Sequence, residues 1–453
     1  MLRRRRQQHP RQGERGVTMI LVVLAMLSML GIVALAIDVI TLYSARSEAQ
    51  RAADSAALAG AKMLVDMGVT TDPTISVPTV AQIDAATKAA RDVASKASIA
   101  GRAVQVADVA VSFPGSGTPT FAVNPQVSIT VQNTNLPTFF SRIWSRAALT
   151  VRATALAEGF NPSNSSSIGG VGAPGIPVIA RCVKPFVIPN CDPQHAGAGC
   201  GGTGATFFDP VSGAITNPGT APTGIIGETF HMFSNCGPGP GCAPGAPDAS
   251  PGAGGVTLRY YPAQMPAATN PCPAGCGGGT NFENDTACCN PTPISCGLTV
   301  TLPAVNQLTI DGTVYPDGGG GPAQNGVECL IHQRPGNGQD NLNSTPPLSY
   351  PLQISVGNNH PLNGTVLSPN DLVTTSDSLV TVPVYDGATT PTAGGQVNII
   401  GFLQVFIDQA FPGGGGPKAG EFQVTVVNVS GCGISATGTA VASSSAVPVR
   451  LIH

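Results

Sequence analysis

The chain has 453 residues, only 10% of them charged, and a formal net charge of −3. Soluble domains are ordinarily about 25% charged, so this composition is typical of a turn-rich chain with little ionised surface. Beyond residues 1–16 the sequence has no basic stripe, which excludes a nucleic-acid-binding surface of the usual electrostatic kind.

The first 16 residues are strongly basic. They contain six arginines and one glutamate, and the rest of the chain carries a net charge of −8. A basic block beside a long apolar run is typical of the flank of a membrane helix that stays in the cytoplasm. We therefore expect residues 1–16 to form a short cytoplasmic segment.

Residues 17–37 are an uncharged run of 21 residues between Arg15 and Asp38. A helix rises about 1.5 Å per residue, so this run spans about 31 Å, the thickness of a bilayer core. It predicts one transmembrane helix, with the bulk of the chain outside the cytoplasm. A cleavable secretory signal is the alternative, because Ala34-Leu35-Ala36 resembles a cleavage site; the run is, however, longer than the roughly 7–15 residues usual in signals.

Residues 38–67 continue the helical pattern without proline. Small residues recur along one face at steps of three and four: Ala49, Ala52, Ala53, Ala56, Ala57 and Gly60. Such a stripe lets a second helix approach closely. Two interpretations stay open, since this face either binds a partner helix or packs on the chain's own domain.

The same region carries a motif made of Gly16, Asp38, Tyr43 and the string Gln50-Arg51-Ala52-Ala53-Asp54-Ser55-Ala56-Ala57-Leu58-Ala59. Over about residues 15–62 the chain resembles the TadE/TadG-like proteins of the bacterial Flp (Tad) pilus-assembly machinery. The resemblance implies a pilin-like protein of the inner membrane that assists assembly of a thin adhesive pilus. Together with the small-residue stripe, the motif makes the following residues candidates for a helix–helix contact: Gly16, Asp38, Tyr43, Gln50, Ala52, Ala53, Asp54, Ala56, Ala57 and Leu58.

Two departures from the family refine this expectation. Leu21 stands where processed pilins carry glutamate, five residues after the cleavage point that Gly16 would precede. This favours the TadG-like side of the family, a standing envelope component. The sequence also has no Asp-x-Ser-x-Ser string, so we do not expect the metal-binding von Willebrand A domain of some TadG-like proteins.

Residues 79–158 predict a small pilin-like α+β unit. A helix is expected over residues 81–100, and alternating apolar runs predict strands over residues 104–113, 126–132 and 148–156, paired in an antiparallel sheet. The aromatic cluster Phe139, Phe140 and Trp144 is expected to fill the core.

A stretch rich in glycine, proline and cysteine follows, and we expect an irregular segment over residues 159–297. Residues 159–330 contain eleven of the twelve cysteines: Cys182, Cys191, Cys200, Cys236, Cys242, Cys272, Cys276, Cys288, Cys289, Cys296 and Cys329. Outside the cytoplasm, disulfides are the expected use of these residues. Eleven is odd, so complete pairing requires Cys432 to bond to this stretch. A zinc site is disfavoured because no Cys-x-x-Cys occurs and His195, His231 and His332 lack ligand-like spacing to the cysteines.

Residues 298–453 predict an all-β, sandwich-like C-terminal domain of about seven short strands. The clearest runs cover residues 379–384, 397–407, 422–429 and 447–451. Pro383 and Pro448 are typical of edge strands, because proline donates no ladder hydrogen bond.

No catalytic, cofactor or metal motif is recognisable, and spacing alone does not make Asp209 and Glu228 an acid–base pair. The sequence therefore predicts a single-pass protein of the inner membrane, its bulk periplasmic, that is not an enzyme. Its expected partners are the bilayer and other pilus-assembly proteins, with no nucleic acid, cofactor or small-molecule substrate. The alternatives are a membrane-tethered surface adhesin or ligand-binding module unrelated to pili, and an exported hydrolase.

Overall fold

The computed structural model describes most of the chain between residues 14 and 452. The described residues are 14–71, 77–118, 121, 124–136, 149–164, 176–195, 205–236, 251–252, 255–265, 272, 276, 279–297, 304–314, 321–343, 352–373, 375–387, 391–411, 420–443 and 445–452. The arginines before residue 13, the aromatic cluster Phe139, Phe140 and Trp144, and Cys200 and Cys242 lie outside these residues.

The described chain contains four α-helices and twenty strands. The helices are α1 (Glu14–Asp66), α2 (Val80–Ser95), α3 (Asn281–Ala287) and α4 (Pro322–Leu330). The first ten strands are β1 (Ser98–Ile99), β2 (Arg102–Ala103), β3 (Val109–Ser112), β4 (Gln126–Leu136), β5 (Leu149–Gly159), β6 (Val178–Ala180), β7 (Phe186–Pro189), β8 (Thr229–Ser234), β9 (Pro251–Gly252) and β10 (Gly255–Gln264). The others are β11 (Ile294–Ser295), β12 (Gln307–Ile310), β13 (Asn341–Leu342), β14 (Ile354–Ser355), β15 (Leu372–Val373), β16 (Leu379–Tyr385), β17 (Gln396–Ala410), β18 (Phe422–Gly431), β19 (Val441–Ser443) and β20 (Val449–Ile452).

Helix α1 is continuous over 53 residues, so the predicted apolar helix and its alanine-rich extension form one element. This confirms the prediction of a long N-terminal helix. The helix ends at Asp66, and two residues later Gly68 has a φ of +73°, which is accessible to glycine at little cost. A Cβ at that position would also lie 2.8 Å from Ile226 Cγ2, so the close approach to the following domain requires glycine as well.

The second half of α1 packs with α2 against a four-stranded antiparallel sheet, in the order β20-β5-β4-β3. We call α1 after residue 38, α2 and this sheet the helix–sheet unit. Helix α2 begins with a capping box, in which Thr79 Oγ1 accepts from Gln82 N and Gln82 Oε1 accepts from Thr79 N. The predicted α+β arrangement is therefore confirmed in outline.

One strand of that sheet corrects the expected division of the chain. Strand β20, at the C-terminal end, pairs with residues 156–159 of β5, although the sequence placed it in the C-terminal domain. Its Arg450 Nη2 lies 2.6 Å from Glu158 Oε1 of β5, and its Val449 and Leu451 pack on the core of the helix–sheet unit. The apolar alternation of β20 is visible in the sequence, but Glu158 on its partner strand lies 292 residues before Arg450, beyond the reach of a local pattern.

The expected sandwich is wrong, because one sheet closes on itself as a barrel. Its six strands follow the order β10-β7-β16-β17-β18-β8, and β8 returns to β10. Strands β7 and β16 are parallel, as are β8 and β10, and the other pairs in the ring are antiparallel. Strand β12 pairs with both β10 and β17. Closure leaves the ring without exposed edges.

Half of the barrel comes from residues 159–297, which were expected to be irregular. Strands β7, β8 and β10 lie in this segment. All four residues of β7 are buried, so its side chains show no alternation between polar and apolar positions. The aromatic side chains of these strands fill the barrel, as where the ring centroids of Phe186 and Tyr260 lie 4.9 Å apart.

Disulfide bonding is confirmed for the ten cysteines that the structure describes. Four bonds are defined: Cys182–Cys289, Cys272–Cys288, Cys276–Cys329 and Cys296–Cys432. The adjacent Cys288 and Cys289 thus bond to different partners. Complete pairing required one of the eleven cysteines to bond to Cys432, and Cys296 does so. This bond joins the end of β18 to the segment after β11.

Candidate functional site

The first half of α1 is apolar on every side and exposed. Its large hydrophobic side chains over residues 17–37 are between 41% and 71% exposed. Among the described residues this helix is long and apolar enough to cross a membrane. A helix that is apolar all round needs an apolar surrounding, which a bilayer supplies. The structure is therefore consistent with a single-pass membrane anchor.

Two polar side chains of α1, Glu48 and the motif residue Gln50, connect the helix to its own unit. Gln50 Nε2 donates to Asp54 Oδ1 at 2.7 Å and to the carbonyl of Thr154 on β5 at 3.3 Å. Glu48 Oε2 accepts from the backbone N of Ala100 at 2.7 Å. These bonds set the rotation of the helix about its axis relative to the sheet.

The remaining motif residues are spread around the helix. Asp38 is 5% exposed and Tyr43 is 72% exposed, whereas Leu58 is partly buried. Gly16 lies in the first turn of α1. The motif therefore does not converge on one point.

The alanine face of α1 is covered by the chain itself. Ala49, Ala53, Ala56 and Ala57 are fully buried, and Ala52 is 4% exposed. A Cβ at Gly60 would lie 3.0 Å from Val127 Cγ1 and 3.4 Å from Ala90 Cβ, so α2 and β4 lie against this face. This agrees with packing on the chain's own domain and leaves these alanines no room for a partner helix.

Two buried polar side chains fasten the helix–sheet unit to the barrel. Asn161 Nδ2 donates to Thr70 O at 3.2 Å and to Val429 O at 2.8 Å. Ser163 Oγ accepts from the backbone N of Gly431 at 2.6 Å. Because Val429 and Gly431 belong to β18, the segment after β5 is bonded directly to the barrel wall.

A cavity of about 570 Å³ opens where the helix–sheet unit, the barrel and the disulfide-bonded segment meet. Lys62, Lys184, Asp377 and Gln404 are among its lining residues. Lys184 is buried, and its Nζ donates to the carbonyls of Thr286 at 2.8 Å and Cys288 at 2.9 Å.

Burial lowers the pKa of Lys184 to about 8, while the negative charges of Asp377 and Asp285 act in the opposite direction. Two of its three amine protons are bonded to carbonyls of the segment that the Cys182–Cys289 and Cys272–Cys288 disulfides hold. This arrangement braces the segment against β7.

A second polar cluster lies between β7 and β8. Asp192, three residues after β7, is fully buried, and Glu228, directly before β8, is 2% exposed. His195 Nδ1 lies 2.9 Å from Asp192 Oδ2 and 2.9 Å from Glu228 Oε1. The ligand-type atoms of the three side chains all lie within 4.8 Å of one another.

Surrounding groups fix two members of this cluster. Asp192 Oδ1 accepts from the backbone N of Gln194 and of His195, both at 3.1 Å, and its Oδ2 accepts from Asn217 Nδ2 at 3.1 Å. His195 Nε2 lies 3.2 Å from the carbonyl of Pro222. Burial, with the neighbouring Asp192, raises the pKa of Glu228 to about 9.

Sequence reasoning did not find this cluster. Asp209, considered there with Glu228, instead accepts from the backbone N of Ser212 at 2.7 Å within its own turn, and this bond holds its pKa below the usual value. The available signal was the spacing Asp192-x-x-His195, which places two ligand types in one turn. Glu228 carries no local signal, since only the barrel brings it there.

Comparison with known proteins adds one finding. Residues 16–63 match the model of a family described as putative Flp pilus-assembly TadE/G-like, which confirms the resemblance seen in the motif residues. The matched segment lies within α1 and leaves the sheet and the barrel uncovered. No curated protein and no solved structure matches the chain.

Proposed function

We propose that this chain is a non-enzymatic, membrane-anchored envelope component that assists the assembly or anchoring of a Flp/Tad-type pilus. The observation that carries the proposal is the family match over residues 16–63, all of which lie in α1. The matched part thus comprises the membrane-length half of the helix and the half that forms the core of the helix–sheet unit. The chain therefore shares with the family a helix of membrane length and the packed continuation of that helix.

The proposed orientation places the N-terminus in the cytoplasm and the barrel outside, at the inner membrane. Six arginines precede the apolar run, and positive flanks favour the cytoplasmic side. Disulfides persist in oxidising compartments, and four defined bonds in the barrel region support an extracytoplasmic location. Reporter fusions at each end, active only outside the cytoplasm, test this: activity at the N-terminal end would contradict it.

In this proposal the chain holds its barrel in a fixed relation to the membrane. The helix enters the core of the helix–sheet unit, and Asn161 and Ser163 bond that unit to β18. A force on the barrel would therefore pass to the anchor through a packed core and a bonded joint. A bracing component of an assembly machine requires such a connection.

The test is deletion of the gene in the bacterium that carries it, followed by counting surface pili. We expect the deletion to lose Flp pili and the full-length chain to restore them. A variant with Val23→Arg and Leu27→Arg should fail, because each arginine at the centre of a membrane helix costs about 2.5–3.5 kcal/mol. Val23→Leu with Leu27→Val is the matched control. Unchanged piliation in the deletion strain would refute the proposal.

A membrane-tethered ligand-binding module or adhesin is the second candidate. It is favoured by the cavity beside Lys184, whose lining residues other than Lys62 lie outside the family match. The same deletion strain separates the two functions. Normal pili with lost surface attachment would favour the second candidate, whereas lost pili favour the first.

A further inference from the structure

The cluster formed by Asp192, His195 and Glu228 places two buried carboxyl groups beside one imidazole. Asp192 and Glu228 are both buried, and neither oxygen of Glu228 has a hydrogen-bond donor among the described residues. Within that part of the chain no lysine or arginine forms an ion pair with either carboxylate. A buried carboxyl group keeps its proton unless a positive charge or a metal ion compensates the ionised form. We propose that Asp192, His195 and Glu228 bind a divalent transition-metal cation, Zn²⁺ or Mn²⁺.

The imidazole of His195 is oriented for this role. Its Nε2 can donate to the carbonyl of Pro222 at 3.2 Å, and that tautomer leaves a lone pair on Nδ1. Nδ1 then faces both carboxylates at 2.9 Å. Metal-binding histidines commonly use the second ring nitrogen in this way, as a donor to a backbone carbonyl.

Asp192 is held in the same manner. Its Oδ1 is occupied by two backbone N–H groups, and its Oδ2 accepts one bond from Asn217 Nδ2. An ionised carboxylate oxygen has a second lone pair, which here remains available on the side of His195. The donors around Asp192 therefore fix the carboxylate without consuming its capacity to bind a cation.

The distances and ligand types select the class of ion. Two ligands about 2.0–2.1 Å from a metal are about 2.9 Å apart at right angles and about 3.3 Å apart at the tetrahedral angle usual for Zn²⁺. Nδ1 lies 2.9 Å from each of the two carboxylate oxygens, so an octahedral ion fits these separations and a tetrahedral ion requires the ligands to move apart by a few tenths of an ångström. Imidazole suits Zn²⁺ and Mn²⁺, whereas Ca²⁺ and Mg²⁺ prefer oxygen ligands alone.

A cation here would join two parts of the barrel. Asp192 and His195 follow β7, and Glu228 precedes β8, and both strands pair with β10. The ion would hold the start of β8 against the end of β7, close to Ile226, which lies against Gly68 just after the end of α1. Since the unfolded chain lacks the assembled site, binding energy would contribute to folding.

The test uses the full-length chain in detergent, carrying a tag without histidine and freed of metal by a chelator. Titration calorimetry with ZnCl₂ and with MnCl₂ should show one ion per chain, and the ion should raise the melting temperature. Glu228→Gln and His195→Gln should weaken binding at least about 100-fold. Asn217→Ala, which removes a donor that holds Asp192, should weaken it about 10- to 100-fold.

The matched control is His332→Asn, because His332 also pairs with a carboxylate, that of Asp377, but lies outside the cluster. Its φ of +56° is tolerated by asparagine, and this variant should bind as the unmodified chain does. Should Glu228→Gln fail to fold, electron paramagnetic resonance of Mn²⁺ bound to the unmodified chain, labelled with ¹⁵N-histidine, decides the question. We expect hyperfine coupling of the ion to one imidazole nitrogen. Absence of binding, absence of coupling, or unchanged binding by Glu228→Gln would overturn the proposal.

Discussion

Asn428, on barrel strand β18, donates a hydrogen bond of 2.8 Å from its side-chain amide to the carbonyl of Val65 in the last turn of α1. The same amide nitrogen donates to Gln404 Oε1 at 2.7 Å, and its Oδ1 lies 3.3 Å from the hydroxyls of Thr70 and Thr71. Asn428 is fully buried. Asn428 of the barrel thus forms a hydrogen bond with the C-terminal end of α1, whose N-terminal half is apolar and exposed.

Replacing Asn428 by alanine should destabilise the whole exported part. Gln404 Oε1 and the hydroxyls of Thr70 and Thr71 would lose a buried partner, and each unsatisfied group costs about 1–3 kcal/mol. The Val65 carbonyl would still accept from the backbone N of Gly68 at 2.9 Å. We expect a loss of about 2–4 kcal/mol, measured as a fall in melting temperature of the full chain in detergent. Asn398→Ala, on the exposed side of β17, is the control and should change stability by less than about 0.5 kcal/mol. Equal effects would show that the joint contributes nothing.

The long helix could be predicted because its information is local. Twenty-one uncharged residues followed by an alanine-rich stretch without proline leave few other structures possible, and α1 spans both parts. Strands β4, β16, β17 and β18 were likewise expected from apolar alternation or runs. The closure of the barrel was not, because it depends on the parallel pairs β7–β16 and β8–β10, which sequence pattern does not specify.

Pro383 shows the limit of local rules. It was expected on an edge strand, but it lies in β16, which has β17 on one side and β7 on the other. Strand β7 pairs with β16 at Val384 and Tyr385, beyond the proline. Pro383 therefore lies outside the stretch of β16 that pairs with β7, although β16 is not an edge strand.

The cluster formed by Asp192, His195 and Glu228 could be predicted only in part. Asp192 and His195 are three residues apart, so their proximity follows from one turn of chain. Glu228 joins them because β7 and β8 both flank β10. Because the sequence does not predict the barrel, it does not predict that Glu228 lies beside Asp192 and His195.

The closeness of α1 and α2 should depend on Gly60. A Cβ there would already lie 3.0 Å from Val127 Cγ1, so leucine would have to displace β4 or α2. We expect Gly60→Leu to destabilise the helix–sheet unit by about 1–3 kcal/mol, seen as faster proteolysis between residues 77 and 118. Gly31→Leu is the matched control, because a Cβ at Gly31 meets nothing within 4 Å. Equal protease resistance of the two variants would contradict the packing.

The disulfide between Cys296 and Cys432 should stabilise the barrel more than the one between Cys272 and Cys288. The first closes a separation of 136 residues and the second only 16, and longer closed loops restrict the unfolded chain more. We expect the serine variant of the first pair to lose about 2–5 kcal/mol and that of the second to lose less. Melting temperatures in oxidising buffer measure this, and the difference should vanish in reductant. A larger loss for the short loop would refute the ranking.

Asp408 on β17 should make stability fall as the pH rises. Burial raises its pKa to about 7, although Thr425 Oγ1 donates to its Oδ2 at 2.8 Å. An unfolded chain, with a carboxyl pKa of about 3.9, binds fewer protons than the folded chain between about pH 4 and pH 7. The free energy of unfolding therefore decreases across that window.

Asp408→Asn removes the ionisation while keeping an oxygen that accepts from Thr425. Melting temperatures measured from pH 4 to pH 8 should fall less steeply for this variant, with a difference on the order of 1 kcal/mol or more near pH 7. Asp209→Asn is the contrasting control, because the pKa of Asp209 is lowered by the backbone N–H of Ser212. Its carboxylate stabilises the fold above the unfolded pKa, and that contribution is lost as the pH falls. Parallel curves for Asp408→Asn and the unmodified chain would mean that Asp408 stays ionised in the fold, and the burial of this carboxyl would then need a compensating cation.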